Sequence, residues 1–178
     1  KENAANKVPV TLTVKRFEHG WLIDDVSIGS HETNDEEKHD TVYTNTEFGF
    51  RFVLPDSWKG YSIVMDKWEG SAPGSAEVSE TGPMVIIRHP EWSPEDPRQD
   101  IPIMVLTLAQ WDDLQHEKFH IGAAPVGPAE LGRNQQYVFA LPARYNFGFL
   151  KGYEEVEQII QSHPLKPIQV KRRAALIR

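Results

Sequence analysis

A chain of 178 residues with 39% hydrophobic and 25% charged side chains can bury one good core, or one core and a small appendage. It has no cysteine, which excludes disulfides, thiolate metal sites and a cysteine nucleophile, and no apolar run approaches the length that spans a bilayer. The formal net charge is −7 and no acidic residue follows Glu157, so an acidic body repels phosphate backbones and speaks against a nucleic-acid partner.

The chain opens with a predicted β-hairpin over residues 1–26. Val8, Val10, Leu12 and Val14 alternate with Pro9, Thr11 and Thr13, and Glu18-His19-Gly20 supplies the turn before Trp21. A lone hairpin is marginal in water and needs a larger sheet or another chain. The stretch VPVTLTVKRFEHGWLIDDVS resembles the closing strands of nuclear transport factor 2-like domains, which implies that the chain begins inside a larger protein. Residues 27–40, SIGSHETNDEEKHD, are polar, acidic and free of aromatics, the composition of a linker.

The main domain is expected over 41–164. Phe48, Phe50, Phe52 and Leu54 alternate with Gly49, Arg51 and Val53, which predicts a strand with one apolar face. Pro55 stops the ladder, Asp56 is placed to cap a one-turn helix, Gly60 closes it, and Trp58 folds back over the strand's end. Strands follow at 61–68, 83–89 and 101–107, with a long loop SAPGSAEVSETG between the first two. Thr107 and Gln110 form a capping-box pattern that opens a helix to about Phe119. An edge strand and a turn at Gly132-Arg133-Asn134 precede a strand at 135–142. Tyr145, Phe147 and Phe149 form a further core strand, a packed loop or an aromatic groove wall. A last helix at 153–162 carries Tyr153, Val156, Ile159 and Ile160 on one face, and its early glutamates suit the positive N-terminal end. Residues 165–178 read as a basic tail. Short strands in series with only two helices predict an α+β fold, a largely antiparallel sheet with two flanking helices. Phe48, Phe50, Phe52, Ile86, Val105 and Leu106 are its expected core.

The sharpest chemical pattern is His116-Glu117-Lys118-Phe119-His120, a literal H-E-x-x-H. In zinc peptidases the histidines lie one helical turn apart on the metal and the glutamate polarises its water. Read so, Glu117 is the catalytic alternative and His116, His120 and Asp112 the metal set, with zinc as cofactor. Against it, Lys118 puts a cation inside the motif and no downstream H-x-x-G-x-x-H follows. On a helical wheel Leu108, Trp111, Leu114 and Phe119 take the core arc, which leaves His116, Glu117 and His120 on the other side. The preferred reading is therefore a solvated helix face with no cofactor. A second cluster, Arg88, His89, Trp92 and Arg98, lies in and beside the proline-punctuated loop HPEWSPEDPRQD, where aromatics beside cations can bind a ligand or partner; otherwise Trp92 folds down as a lid. No G-x-S-x-G, G-x-G-x-x-G or P-loop pattern is present.

GFRFVLPDSW resembles the opening of PsbP-like domains, which implies an antiparallel sheet with flanking helices and, as an alternative function, a PsbP/Mog-like protein-binding adaptor. Across residues 45–164 the segments RHPEWSPEDPRQDIPIMV, EKFHIGAAPVGPAELGRN and YVFALPARYNF resemble an uncharacterised domain of Gram-positive secreted proteins and lipoproteins. That resemblance implies an extracytoplasmic address, in the cell envelope or secreted, and brings no catalytic residues. The function expected is a non-catalytic binding domain of a bacterial envelope protein with a protein or small-molecule ligand; the alternative is a metal-dependent hydrolase.

Overall fold

The computed structural model describes residues 10–17, 20–28, 41–122 and 126–168. The chain divides into two compact units, Lys1–Lys38 and His39–Arg178. In the first, β1 (Val10–Phe17) pairs antiparallel with β2 (Gly20–Ile28), the expected hairpin, with a register shift between Thr13 and Val14. β2 runs two residues into the segment read as a linker; residues 29–40 lie outside the described residues.

The second unit is α+β and its sheets are antiparallel throughout. β3 (Thr41–Asn45), which the sequence reading did not anticipate, pairs with β4 (Phe50–Leu54). The turn between them holds Phe48, whose N–H donates to Asn45 Oδ1 at 2.8 Å, and Gly49 at φ 79. Phe48 is therefore in the turn rather than the strand, yet it stays buried in line with Phe50, Phe52 and Leu54. β11 (Leu165–Pro167) pairs with the other side of β4 to complete a three-stranded sheet, so the unit runs past Pro164 into what was read as tail. Residues 169–178 lie outside the described residues.

The larger sheet has the order β8-β5-β6-β7-β10-β9. β5 (Ser62–Ser71) and β6 (Val78–Arg88) form a long ribbon that absorbs half of the expected loop SAPGSAEVSETG. Its polar residues occupy strand positions on the exposed end of the ribbon, where alternation need not be apolar. β7 (Ile101–Thr107) is the central strand, flanked by β6 and β10 (Tyr137–Leu141); β9 (Ala129–Arg133) and the two-residue β8 (His120–Ile121) form the edges. The successive residues of β7 serve two cores. Ile101, Ile103 and Val105 pack with Phe50, Phe52, Leu54, Trp58, Phe139 and the α2 residues Val156 and Ile159, α2 being Tyr153–Gln161. Met104 and Leu106 pack with Trp68 and Phe119, under Trp111 and Leu114 of α1 (Leu108–Gln115). α1 thus covers one face of the sheet, and the small sheet with α2 covers the other.

Of the expected core, Phe48, Phe50, Phe52, Val105 and Leu106 are buried, whereas Ile86 is half-buried because β6 alternates and gives Val85 and Ile87 to the core. Trp58 sits in a 3-10 turn (Asp56–Trp58), fully buried, with Gly60 at φ +91 closing the turn; Asp56 lies in the first turn but its side chain makes no cap hydrogen bond. Among the described residues no helix is long and apolar enough to cross a membrane.

Candidate functional site

The H-E-x-x-H segment does not form a helix. Thr107 and Gln110 make the expected capping box, Thr107 Oγ1 accepting from Gln110 N–H at 3.1 Å and Gln110 Oε1 accepting from Thr107 N–H at 3.0 Å. α1 nevertheless ends at Gln115, with His116 as its C-cap and Glu117 left-handed at φ 55. The reason lies one step on. Phe119 is 3% exposed and stacks on Trp68, with ring centroids 6.1 Å apart, so the chain turns off the helix axis to deliver that ring to the core. His120 then enters β8, paired with Ser71. The expectation of one helix to Phe119, with Asp112, His116 and His120 stacked along it, is overturned. His116 Nδ1 lies 2.8 Å from the Asp112 carbonyl oxygen and 3.5 Å from Asp112 Oδ1, on the surface. Among the described residues no group of three or more His, Asp or Glu could hold a metal ion. Glu117 and His120 instead border an open cleft of about 460 Å³ whose walls include Leu114, Phe119, Ile121 and Val126.

The second cluster does assemble. The β6–β7 register pairs Ile87 with Ile101, so Arg88 and Asp100 are the next cross-strand partners. They form a fork, Arg88 Nη2 to Asp100 Oδ2 at 2.9 Å and Nε to Oδ2 at 3.1 Å. That fork fixes the guanidinium 3.9 Å from the centroid of the Trp92 ring, a cation–π contact at a half-exposed site. The next residue along from Arg88, His89, is 5% exposed. Its Nδ1 accepts from the Glu91 N–H at 3.1 Å and its carbonyl accepts from the Trp92 N–H at 3.0 Å. The imidazole meets Trp58 edge to face at 5.0 Å. Burial, and next the nearby Arg98 guanidinium, hold the His89 pKa below its ordinary value against the opposing pull of Glu155 and Glu91. Arg98 pairs with Glu91 through Nη1, while its Nε and the Trp58 Nε1 are buried without partners among the described residues. Trp92 is therefore half-exposed and pinned against Arg88, while His89 is buried against Trp58.

The third group is Tyr145, Phe147 and Phe149, read as a further core strand, a packed loop or an aromatic groove wall. Residues 142–152 form a string of turns, not a strand, with Arg144 at φ 55 and Phe149 at φ 45. The loop is tied down along its length. Gln99 Nε2 donates to the Tyr145 carbonyl at 3.1 Å, Gln99 N–H to the Lys151 carbonyl at 2.9 Å, Lys151 Nζ to Asp96 Oδ2 at 2.6 Å, and Asn146 Nδ2 to Glu157 Oε1 at 2.6 Å. The Lys151 hydrogen bond holds the Asp96 carboxyl below its usual range. Yet Phe147 and Phe149 are 70% and 66% exposed, with Arg144 over the Phe147 ring and Tyr153 edge-on to Phe149. The alternation Tyr145, Phe147, Phe149 reads as a strand, and only the tethers reveal an outward loop. Gln99 and Asp96 thereby zip the proline loop to the aromatic loop at one end of the unit.

Comparison of the chain with protein-family models, curated proteins and solved structures finds no match.

Proposed function

We propose that the unit His39–Arg178 is a non-catalytic binding module that engages a protein partner through the aromatic loop at 143–152, outside the cytoplasm of a bacterium. One observation carries this reading: a loop fastened at Tyr145, Asn146 and Lys151 presents Phe147 and Phe149 to solvent. Single exposed apolar residues are ordinary, but two neighbouring phenyls on a tethered loop are not. At roughly 200 Å² per ring, the two rings and half-exposed Leu150 offer on the order of 300 Å², comparable with the largest apolar patch of a typical monomer. Covering it contributes about 7 kcal/mol before the cost of association. Residues in left-handed conformations cost roughly 1–3 kcal/mol each, and Arg144 and Phe149 bracket this display. The acidic body favours a protein over nucleic acid as partner, and the likeness to secreted and lipoprotein domains supports the address.

The test is a photoreactive phenylalanine at position 147, introduced in cells of the source organism, with the same group at exposed Val78 as control. The reading expects a discrete cross-linked species from 147 that disappears with Phe149→Ser. Equal cross-linking from 147 and 78, in folded protein, overturns it.

A further inference from the structure

The aromatic loop explains the exposed rings but leaves His89 unused. A buried histidine, with a donor on its Nδ1 and a guanidinium acting on it, is an unusual thing to place at the start of a surface loop. We propose that His89 is a proton-operated latch: when its ring takes up a proton, residues 89–95 lift from the end of the sheet and Trp92 comes into solvent. Three features of the corner favour the neutral ring in the closed state. Nδ1 accepts the Glu91 N–H, so the neutral ring carries its proton on Nε2; a second proton on Nδ1 would set donor against donor. The Arg98 guanidinium acts on the same ring with like charge. Among the described residues the corner already holds two buried donors without acceptors, Trp58 Nε1 and Arg98 Nε, and an imidazolium adds another. The carboxylates of Glu91 and Glu155 pull the other way. Glu91 is engaged by Arg98, and Glu155 accepts the Ser57 hydroxyl at 2.5 Å. Burial of the ring is the first cause of its lowered basicity and the Arg98 charge the second, against the pull of these carboxylates.

The hinge lies at the other end of the loop. Asp96 stays ionised in mild acid because Lys151 holds it, and Gln99 keeps its hydrogen bonds to Tyr145 and Lys151. The back of the loop therefore remains tied while the front, held by the Glu91 and Trp92 bonds to His89, lets go. Trp92 then leaves the Arg88 guanidinium, which Asp100 keeps in place. The latch stands on these contacts alone, and no partner is needed to see it. Its failure leaves the proposed binding loop untouched, and failure of the cross-link leaves the latch untouched.

The experiment is an NMR titration of the full chain from pH 8 to pH 4.5, following the His89 ring and the amides of Glu91, Trp92 and Gln99. The expected result is that His89 takes its proton at lower pH than the histidines of the urea-unfolded chain. Over the same interval, opening at the Glu91 and Trp92 amides, corrected for intrinsic exchange, rises by about tenfold per pH unit while the Gln99 amide stays protected. In His89→Gln the side-chain oxygen can still accept from Glu91 N–H but takes no proton, and the loop stays closed throughout. The latch is overturned if His89 titrates as in the unfolded chain, if the amides open at a pH unrelated to His89, or if His89→Gln opens with the wild type. Should His89→Gln fold poorly, the wild-type coincidence of ring titration and amide opening decides alone.

Discussion

His89 and His116 each stand one residue beyond a regular element, His89 after β6 and His116 after α1. Their fates differ: His89 is 5% exposed, whereas the His116 side chain is 66% exposed. The difference lies in what the chain does next. After His89 the Arg88–Asp100 fork closes the base of the proline loop, and Trp58 already offers a ring to pack against. After His116 the chain spends one left-handed residue, Glu117, to bring Phe119 into the core, and the histidine is left outside. A motif written in sequence is therefore worth as much as the packing on either side of it.

The most forceful way to break this contrast is to remove the floor under His89. Trp58 is fully buried, and Trp58→Ala is expected to cost about 3–5 kcal/mol by urea denaturation. It should also move the His89 titration towards that of an unfolded histidine, since burial is the main cause of its shift. A loss below about 1 kcal/mol would show that the ring is not a floor at all.

Cutting the fork is the next step. Arg88 and Asp100 side chains are 27% and 20% exposed, a partly screened pair with two good bonds. Arg88→Ala is expected to cost about 1–2 kcal/mol, and a double-mutant cycle with Asp100→Asn should recover most of that as coupling. Additive single effects would mean that the fork does not close the loop.

The pH dependence of stability sharpens the contrast without altering a contact. His89 is a base whose folded pKa lies below its unfolded value of about 6.5. Its contribution is therefore whole above that unfolded value and is lost as pH falls from there towards the folded one, because the unfolded chain binds the proton first. Wild-type stability should fall across that window relative to His89→Gln. Parallel curves for the two proteins would contradict the sign.

Much of the fold was legible because it follows local rules. The Phe50, Phe52, Leu54 face, the Thr107–Gln110 box and the Val156, Ile159 stripe of α2 all appear where periodicity and capping chemistry place them. What escaped depended on partners distant in sequence. The polar strands of the β5–β6 ribbon are specified by pairing, not by alternation. Leu165–Pro167 becomes a strand only because β4 has a free side. The α1 stop has no Gly or Pro signal; it comes from the demand of Trp68 for Phe119. In the site, Arg88, His89, Trp92 and Arg98 were legible as residue types, whereas Glu91, Gln99 and Asp100 were not. The Arg88–Asp100 pair could have been read once β6 and β7 were aligned, since Ile87 faces Ile101. The outward display of Phe147 and Phe149 had no such signal, because alternating aromatics look alike in a strand and in a loop.

The smallest effects are expected at the H-E-x-x-H segment, and they test the other half of the contrast. If His116 and His120 held zinc and Glu117 polarised its water, replacing either histidine would remove a bound ion and the stability linked to it. The structure separates them onto a helix cap, a left-handed turn and an edge strand. His116→Ala and His120→Ala should therefore each change stability by no more than about 0.5 kcal/mol, and prolonged dialysis against a chelator should leave the melting temperature unchanged. Glu117→Gly should do slightly better than the native residue, by up to about 1 kcal/mol, because glycine reaches φ 55 without the Cβ clash that glutamate carries there. Stoichiometric zinc that survives dialysis, together with peptide cleavage abolished by Glu117→Gln, would reverse the contrast and make the exposed histidine segment the working one.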